Sequence, residues 1–281
     1  MKLNNIILVP TDFSDVCHNA IEYAVKIADT IGFKVFIYHV INKDTLALFK
    51  EENELNTAVD KKLKSIADGF RLQNKVEIMT GYEDGSIFDL IHKKAEDIGA
   101  NIIMLGTHGK KGMQKLFGSY ALKVITQAQV PTIVVQKKNY QKLDNILFPI
   151  NSFTEARQKV GYAIAVASKF DSTIHIYKEK VSDPAEYSRI QIISKQISEE
   201  FRKAGIKYTT QAAEKGGESA KNLVDHAVEK SMDMIMIVTE PQIGTSYFNL
   251  GPWNEKIMFN EAQIPVMCLN PVEHGSIYFD I

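Results

Sequence analysis

A chain of 281 residues, 45% apolar and 24% charged, can bury a real core and is long enough for two ordinary domains. Its net charge of −1 argues against electrostatically driven binding to nucleic acid or membranes. Cys17 and Cys268 stand far apart, which excludes CxxC and zinc spacings, and no apolar run is long enough for a signal-peptide core or a membrane span; a cytoplasmic location is the expectation.

Residues 6–9 form a fully apolar run closed by Pro10, the pattern of a buried parallel strand. Thr11-Asp12-Phe13-Ser14 follows, with Ser14 or Asp15 placed to cap a helix. Ala20, Ala24, Ile27, Ala28 and Ile31 recur at helical spacing up to Gly32. Residues 34–40 read as a second strand and 53–72 as a charged amphipathic helix. A third strand, 75–80, is expected to stop at Gly81. Ser86 then caps a helix carrying Ile87, Leu90, Ile91, Ala95 and Ile98.

The next stretch is the most informative. Four apolar residues, Ile102 to Leu105, end at Gly106. Gly109 and Gly112 follow among Lys110, Lys111 and Lys115, and Gly118-Ser119 opens a helical pattern. Strand, glycine loop and helix start, in that order, make a device for holding phosphate through close backbone N–H groups and the helix dipole. Pro131 leads into a fifth strand between Thr132 and Gln136. Strands alternating with helices predict a doubly wound parallel sheet.

The second half repeats the scheme. NILFPI at 145–150 mirrors NIILVPT at 5–11, with Pro149 standing 139 positions after Pro10 (149 − 10). Residues 173–177, 206–211 and Met234–Val238 are the next strands, and Ile190, Ile193, Ile197 and Phe201 mark a long helix. Ala262-Gln263-Ile264-Pro265 mirrors Ala128-Gln129-Val130-Pro131. Two copies of an α/β domain follow, at 1–138 and 144–271, with a tail at 272–281.

Val9-Pro10-Thr11-Asp12-Phe13-Ser14, His39-Val40, Leu105-Gly106-Thr107-His108-Gly109, Gly118-Ser119 and Val130-Pro131, in this order, resemble the universal stress protein family in its tandem two-domain form. The resemblance spans nearly the whole chain. It implies two Rossmann-like (adenine nucleotide alpha-hydrolase-like) domains, each with a five-stranded parallel sheet of order 3-2-1-4-5. It also implies a stress-response or signalling protein that binds ATP or a related adenine nucleotide, with or without Mg2+, in the first half only. By that resemblance Asp12, with Pro10 and Thr11, contacts adenosine, and Val40 and Leu105 wall the adenine. Gly106, His108, Gly109, Gly118, Ser119 and Tyr120 lie at ribose and phosphates. The family pairs domains through the last strand, which implies an internal pseudo-dimer of 132–136 with Val266–Leu269 and leaves room for a further homodimer.

Two departures qualify this picture. Eight residues, Lys110 to Phe117, separate Gly109 from Gly118, one fewer than in the family motif. In the second half Asn151, Val238, Pro241 and Pro252 replace Asp12, Gly106, Gly109 and Ser119. Valine and proline remove close backbone approach and an N–H donor. The second half is therefore expected to bind no nucleotide, with Phe248, Trp253 and Phe259 filling the space. No Walker A, HxGH or kinase signature is present, and no general base has an orienting partner, so the chain is not read as an enzyme. The alternatives are a scaffold of the same fold without nucleotide, and a slow ATPase using His108. His92, His175, His226 and His274 show no metal-ligand spacing.

Overall fold

The computed structural model describes residues 3–50, 54–108, 117–152, 154–214, 216–217, 219–239 and 250–271, of which 117–120 and 154 are described by backbone only. The chain divides into two compact units, Met1–Tyr140 and Gln141–Ile281.

The first unit runs β1 (Ile6–Pro10), α1 (Asp15–Ile31), β2 (Lys34–Ile41), α2 (Lys43–Leu48), α3 (Leu55–Arg71), β3 (Ile78–Asp84), α4 (Ile87–Ile98), β4 (Ile102–Gly106), α5 (Phe117–Gln127) and β5 (Thr132–Val135). Its strands are parallel, in the order β3-β2-β1-β4-β5. Consecutive side chains of a strand point to opposite faces, and Ile7, Leu8 and Val9 are all fully buried, so both faces of the sheet are covered. Ala20, Ala24 and Ala28 of α1 are also fully buried. Their small size lets the helix lie close to its neighbours. Asn19 fastens α1 to the exit of the unit, its Nδ2 donating to Gln136 O (2.6 Å) and Lys138 O (3.0 Å).

Three expectations change. The short helix α2 has no counterpart in the sequence reading. β3 runs through Gly81 instead of stopping there. A Cβ at Gly81 would meet the Phe36 ring at 3.0 Å, so glycine admits the neighbouring aromatic instead of breaking the strand. α5 begins at Phe117, which puts Gly118 and Ser119 inside its first turn and not ahead of it.

The second unit runs β6 (Asn145–Ile150), a 3-10 helix (Thr154–Lys159), α6 (Val160–Phe170), β7 (Thr173–Lys178), α7 (Pro184–Lys203), β8 (Lys207–Ala212), α8 (Ser219–Glu229), β9 (Met234–Val238), α9 (Gly251–Met258) and β10 (Val266–Leu269). Its parallel sheet has the order β8-β7-β6-β9-β10, the same winding as the first. The registers agree as well. Pro10 pairs with Tyr38 and Leu8 with Ile103, while Pro149 pairs with Tyr177 and Leu147 with Ile235. Positions in one sheet can therefore be matched to positions in the other. Among the described residues no helix is long and apolar enough to cross a membrane.

Candidate functional sites at the carboxyl edges

Strand order reverses between β1 and β4, and the connections leave the two strands in opposite directions at their carboxyl ends. A cavity of about 240 Å3 opens there, as such switch points dictate. Pro10, Thr11, Asp12, Val40, Leu105, Gly106 and His108 all line it. Gly109 lies outside the described residues, with Lys110, Lys111 and Lys115. Gly118, Ser119 and Tyr120 are placed by backbone alone, in the first turn of α5.

The turn that leaves β1 is built by its own side chains. Thr11 Oγ1 accepts the Phe13 N–H at 3.0 Å, and Asp12 Oδ1 accepts the Ser14 N–H at 2.9 Å. Phe13 is held at φ 69°, a left-handed conformation that costs an L-residue about 1 kcal/mol. Its ring offsets that cost by lying 4.4 Å from His39 and meeting Phe49 edge-on at 5.8 Å.

His39 completes the support. It is 4% exposed, with Nδ1 2.7 Å from Thr11 O and Nε2 3.0 Å from Thr45 Oγ1. A carbonyl can only accept, so Nδ1 carries a proton; Nε2 accepts from the threonine hydroxyl, and the ring is neutral. Burial holds its pKa below the ordinary histidine value, against the opposing pull of the Thr11 carbonyl and Asp12. The sign of the pH effect follows. Above about 6.5 the ring is neutral in both folded and unfolded chains. Below that, the unfolded chain takes a proton that the folded chain refuses, and stability falls by at most about 1.4 kcal/mol per pH unit until the folded pKa is reached. Unfolding midpoints measured from pH 7.5 down to 5 should fall less steeply in His39→Gln than in the wild type. His175 and His226, also held low by burial, contribute to both curves. Parallel curves would show His39 to be uninvolved.

Two further residues set the character of the cavity. Cys17 lines it, but burial pushes its thiol up to about 12, so it is no nucleophile. Gly106 is where β4 touches α1. A Cβ there would lie 2.5 Å from Val16 O and 2.8 Å from Cys17 N. Sequence reasoning missed one wall, made by Asn42, Asp44, Thr45 and Leu48 at and within α2. Asn42 Oδ1 accepts the backbone N–H groups of Asp44 and Thr45, and Thr45 Oγ1 accepts that of Asn42. An asparagine followed three residues later by threonine was the available signal for this reciprocal cap.

The model of the universal stress protein family matches residues 4–136. The universal stress protein MJ0531 of Methanocaldococcus jannaschii is 30% identical over 145 residues, covering 47% of this chain and 81% of that protein. The chain belongs to the universal stress protein family. A second relative from the same organism, universal stress protein MJ0577, is 28% identical over 160 residues, covering 47% of this chain and 95% of its own. A universal stress protein of Archaeoglobus fulgidus covers 96% of this chain and 98% of its own with a TM-score of 0.75; at 18% identity this is a likeness of fold.

The second unit departs from expectation. A cavity of about 590 Å3 opens at its carboxyl edge, where β6 and β9 diverge. Trp253 lines this space and does not fill it, and Phe259 is buried where α9 ends. Phe248 lies outside the described residues. The local reason is Val238, which stands where β4 has Gly106. A side chain now occupies the point at which glycine admits the first turn of α1. In the second unit the corresponding stretch is the 3-10 helix Thr154–Lys159, and the α-helix begins only at Val160. Lys159 ends that stretch. It is 2% exposed, and its ammonium donates to Pro149 O (2.6 Å) and Met236 O (3.0 Å) while lying 4.2 Å from the Phe148 ring centre. Among the described residues no group of three or more His, Cys, Asp or Glu could hold a metal ion.

Proposed function

We propose that the first unit binds the adenosine part of ATP or a related adenine nucleotide, and that the protein acts in stress response or signalling as a binding protein. The observation that carries this reading is the convergence of Pro10, Thr11, Asp12, Val40, Leu105, Gly106 and His108 on one cavity at the switch point. The residues present fit the group. Val40, Leu105, Ile87 and Ile91 give apolar walls for a purine, and Asp12 offers carboxylate oxygens to ribose hydroxyls. The phosphates are assigned, by family resemblance, to Gly109, Gly118 and Ser119, with the lysines of the same loop as countercharge.

Calorimetric titration of ATP into the whole chain tests this, with one site per chain expected. No heat at millimolar ATP sinks the proposal. Asp12→Asn is the informative variant. Asparagine can still accept the Ser14 N–H, so the turn survives while the charge is lost. Affinity should drop by about tenfold, near 1.4 kcal/mol. Equal affinity would remove Asp12 from the site.

A further inference from the structure

The wall that α2 adds to the first cavity holds two polar side chains in place. Asn42 Oδ1 accepts the backbone N–H groups of Asp44 (2.9 Å) and Thr45 (3.1 Å). A backbone N–H can only donate, so the amide atom facing these groups is the oxygen, and Nδ2 is left outside the cap. Thr45 is buried, and its Oγ1 lies 3.0 Å from Nε2 of His39, whose Nδ1 holds Thr11 O at 2.7 Å. The stretch 42–45 is thereby tied to the turn that carries Asp12. Side chains locked in this way can discriminate between ligands, because they cannot swing to suit a wrong one.

Asn42 and Asp44 both line the cavity, and neither spends its remaining polar atoms on the protein. Among the described residues Asn42 Nδ2 donates to nothing, and the Asp44 carboxylate enters no hydrogen bond or ion pair. They stand two and four residues beyond Val40, the apolar wall assigned to the purine. The wall therefore offers a donor that cannot accept beside an acceptor that cannot donate. The amino edge of adenine is the complement: N1 accepts and the 6-amino group donates. Guanine and hypoxanthine carry the reverse, an N1–H donor and an O6 acceptor, so each polar atom would meet its like. Charge acts in the same sense. Asp12 and Asp44 share the wall with no lysine or arginine among its described residues. A carboxylate in that setting attracts an amino group and repels O6. The second unit has no equivalent pair: β7 leads through Glu179 and Lys180 to α7 at Pro184, with no short helix between. The pair belongs to the unit whose fourth strand ends in glycine, Gly106, where the other has Val238.

We propose that Asn42 and Asp44 select the base in the first unit, Asn42 Nδ2 donating to N1 of adenine and the Asp44 carboxylate accepting from the 6-amino group. This role rests on adenine-nucleotide binding at the same cavity, and the test separates the two. ATP and ITP share ribose and triphosphate and differ only at N1 and position 6 of the base. Calorimetric titration of both into the whole chain therefore isolates the base edge. ATP should bind at least about tenfold more tightly than ITP. Asn42→Asp keeps the oxygen that caps α2 and exchanges the donor for an acceptor. It should weaken ATP by about tenfold while ITP, whose N1–H gains an acceptor, holds or tightens. Asp44→Asn leaves the cap untouched and can turn an amide N–H toward O6, so it should narrow the ratio by tightening ITP. Equal affinity of the wild type for ATP and ITP would overturn base selection and leave nucleotide binding standing, and so would an ATP-to-ITP ratio unchanged in both variants. No heat with ATP would remove the nucleotide reading itself, and base selection with it.

Discussion

Gly106→Val should abolish the adenine-nucleotide binding proposed for the first unit and destabilise that unit by about 3 kcal/mol, the upper end of ordinary overpacking costs. The atoms in the way are backbone, Val16 O at 2.5 Å and Cys17 N at 2.8 Å, so no side-chain rotation relieves the clash. Either α1 moves outward or its first turn rewinds. Both displace Val16 and Cys17, which form part of the cavity wall. The second unit carries the natural counterpart, valine at this position together with a 3-10 helix in place of the first α-helical turns. Thermal unfolding and ATP calorimetry on the same samples check the result. Because Cβ alone makes the clash, Gly106→Ala should reproduce most of it; an alanine variant with wild-type midpoint and affinity would refute the account.

Lys159→Met should cost the second unit about 3 kcal/mol. Removal of a buried charge can be neutral, because the ammonium escapes its own desolvation. Here the partners decide otherwise. Pro149 O and Met236 O remain after the substitution, and each loses a hydrogen bond from a charged donor, worth about 1.5–3 kcal/mol. The two carbonyls belong to β6 and β9, the strands that separate at the switch point, so the ammonium ties their carboxyl ends together. Denaturant unfolding measures the loss. A midpoint at or above the wild-type value would mean that desolvation of the ammonium cancels what the carbonyls gain.

The buried strands are legible in the sequence because parallel strands covered on both faces must be apolar throughout, as residues 6–9, Ile102 to Leu105 and Met234–Val238 are. The alanine-rich face of α1 and its left-handed Gly32 cap are equally plain. Local rules fail where a distant neighbour decides. Gly81 looks like a strand terminator, yet it belongs to β3 because the Phe36 ring of β2 needs its space. α2 has only six residues, too few to display a period, and its cap is a side-chain network. The first site was readable because its residues sit in one motif order. The second cavity was not. Its walls come from β6, β7, β9, α8, α9 and the 3-10 helix, which no single motif joins.

The two hydrogen bonds from Asn19 span 117 and 119 positions of chain. During synthesis at about 5–20 residues per second, α1 leaves the ribosome roughly 6–24 s before the carbonyls that clasp it exist. β1 waits almost as long for β4, since Ile7 pairs with Ile102. In that interval β1 can pair only with β2, and one edge of the strand destined for the centre of the sheet stays open. The nascent first unit thus keeps an open central strand edge for most of its synthesis: its centre is made first and closed last, once Lys138 has been added.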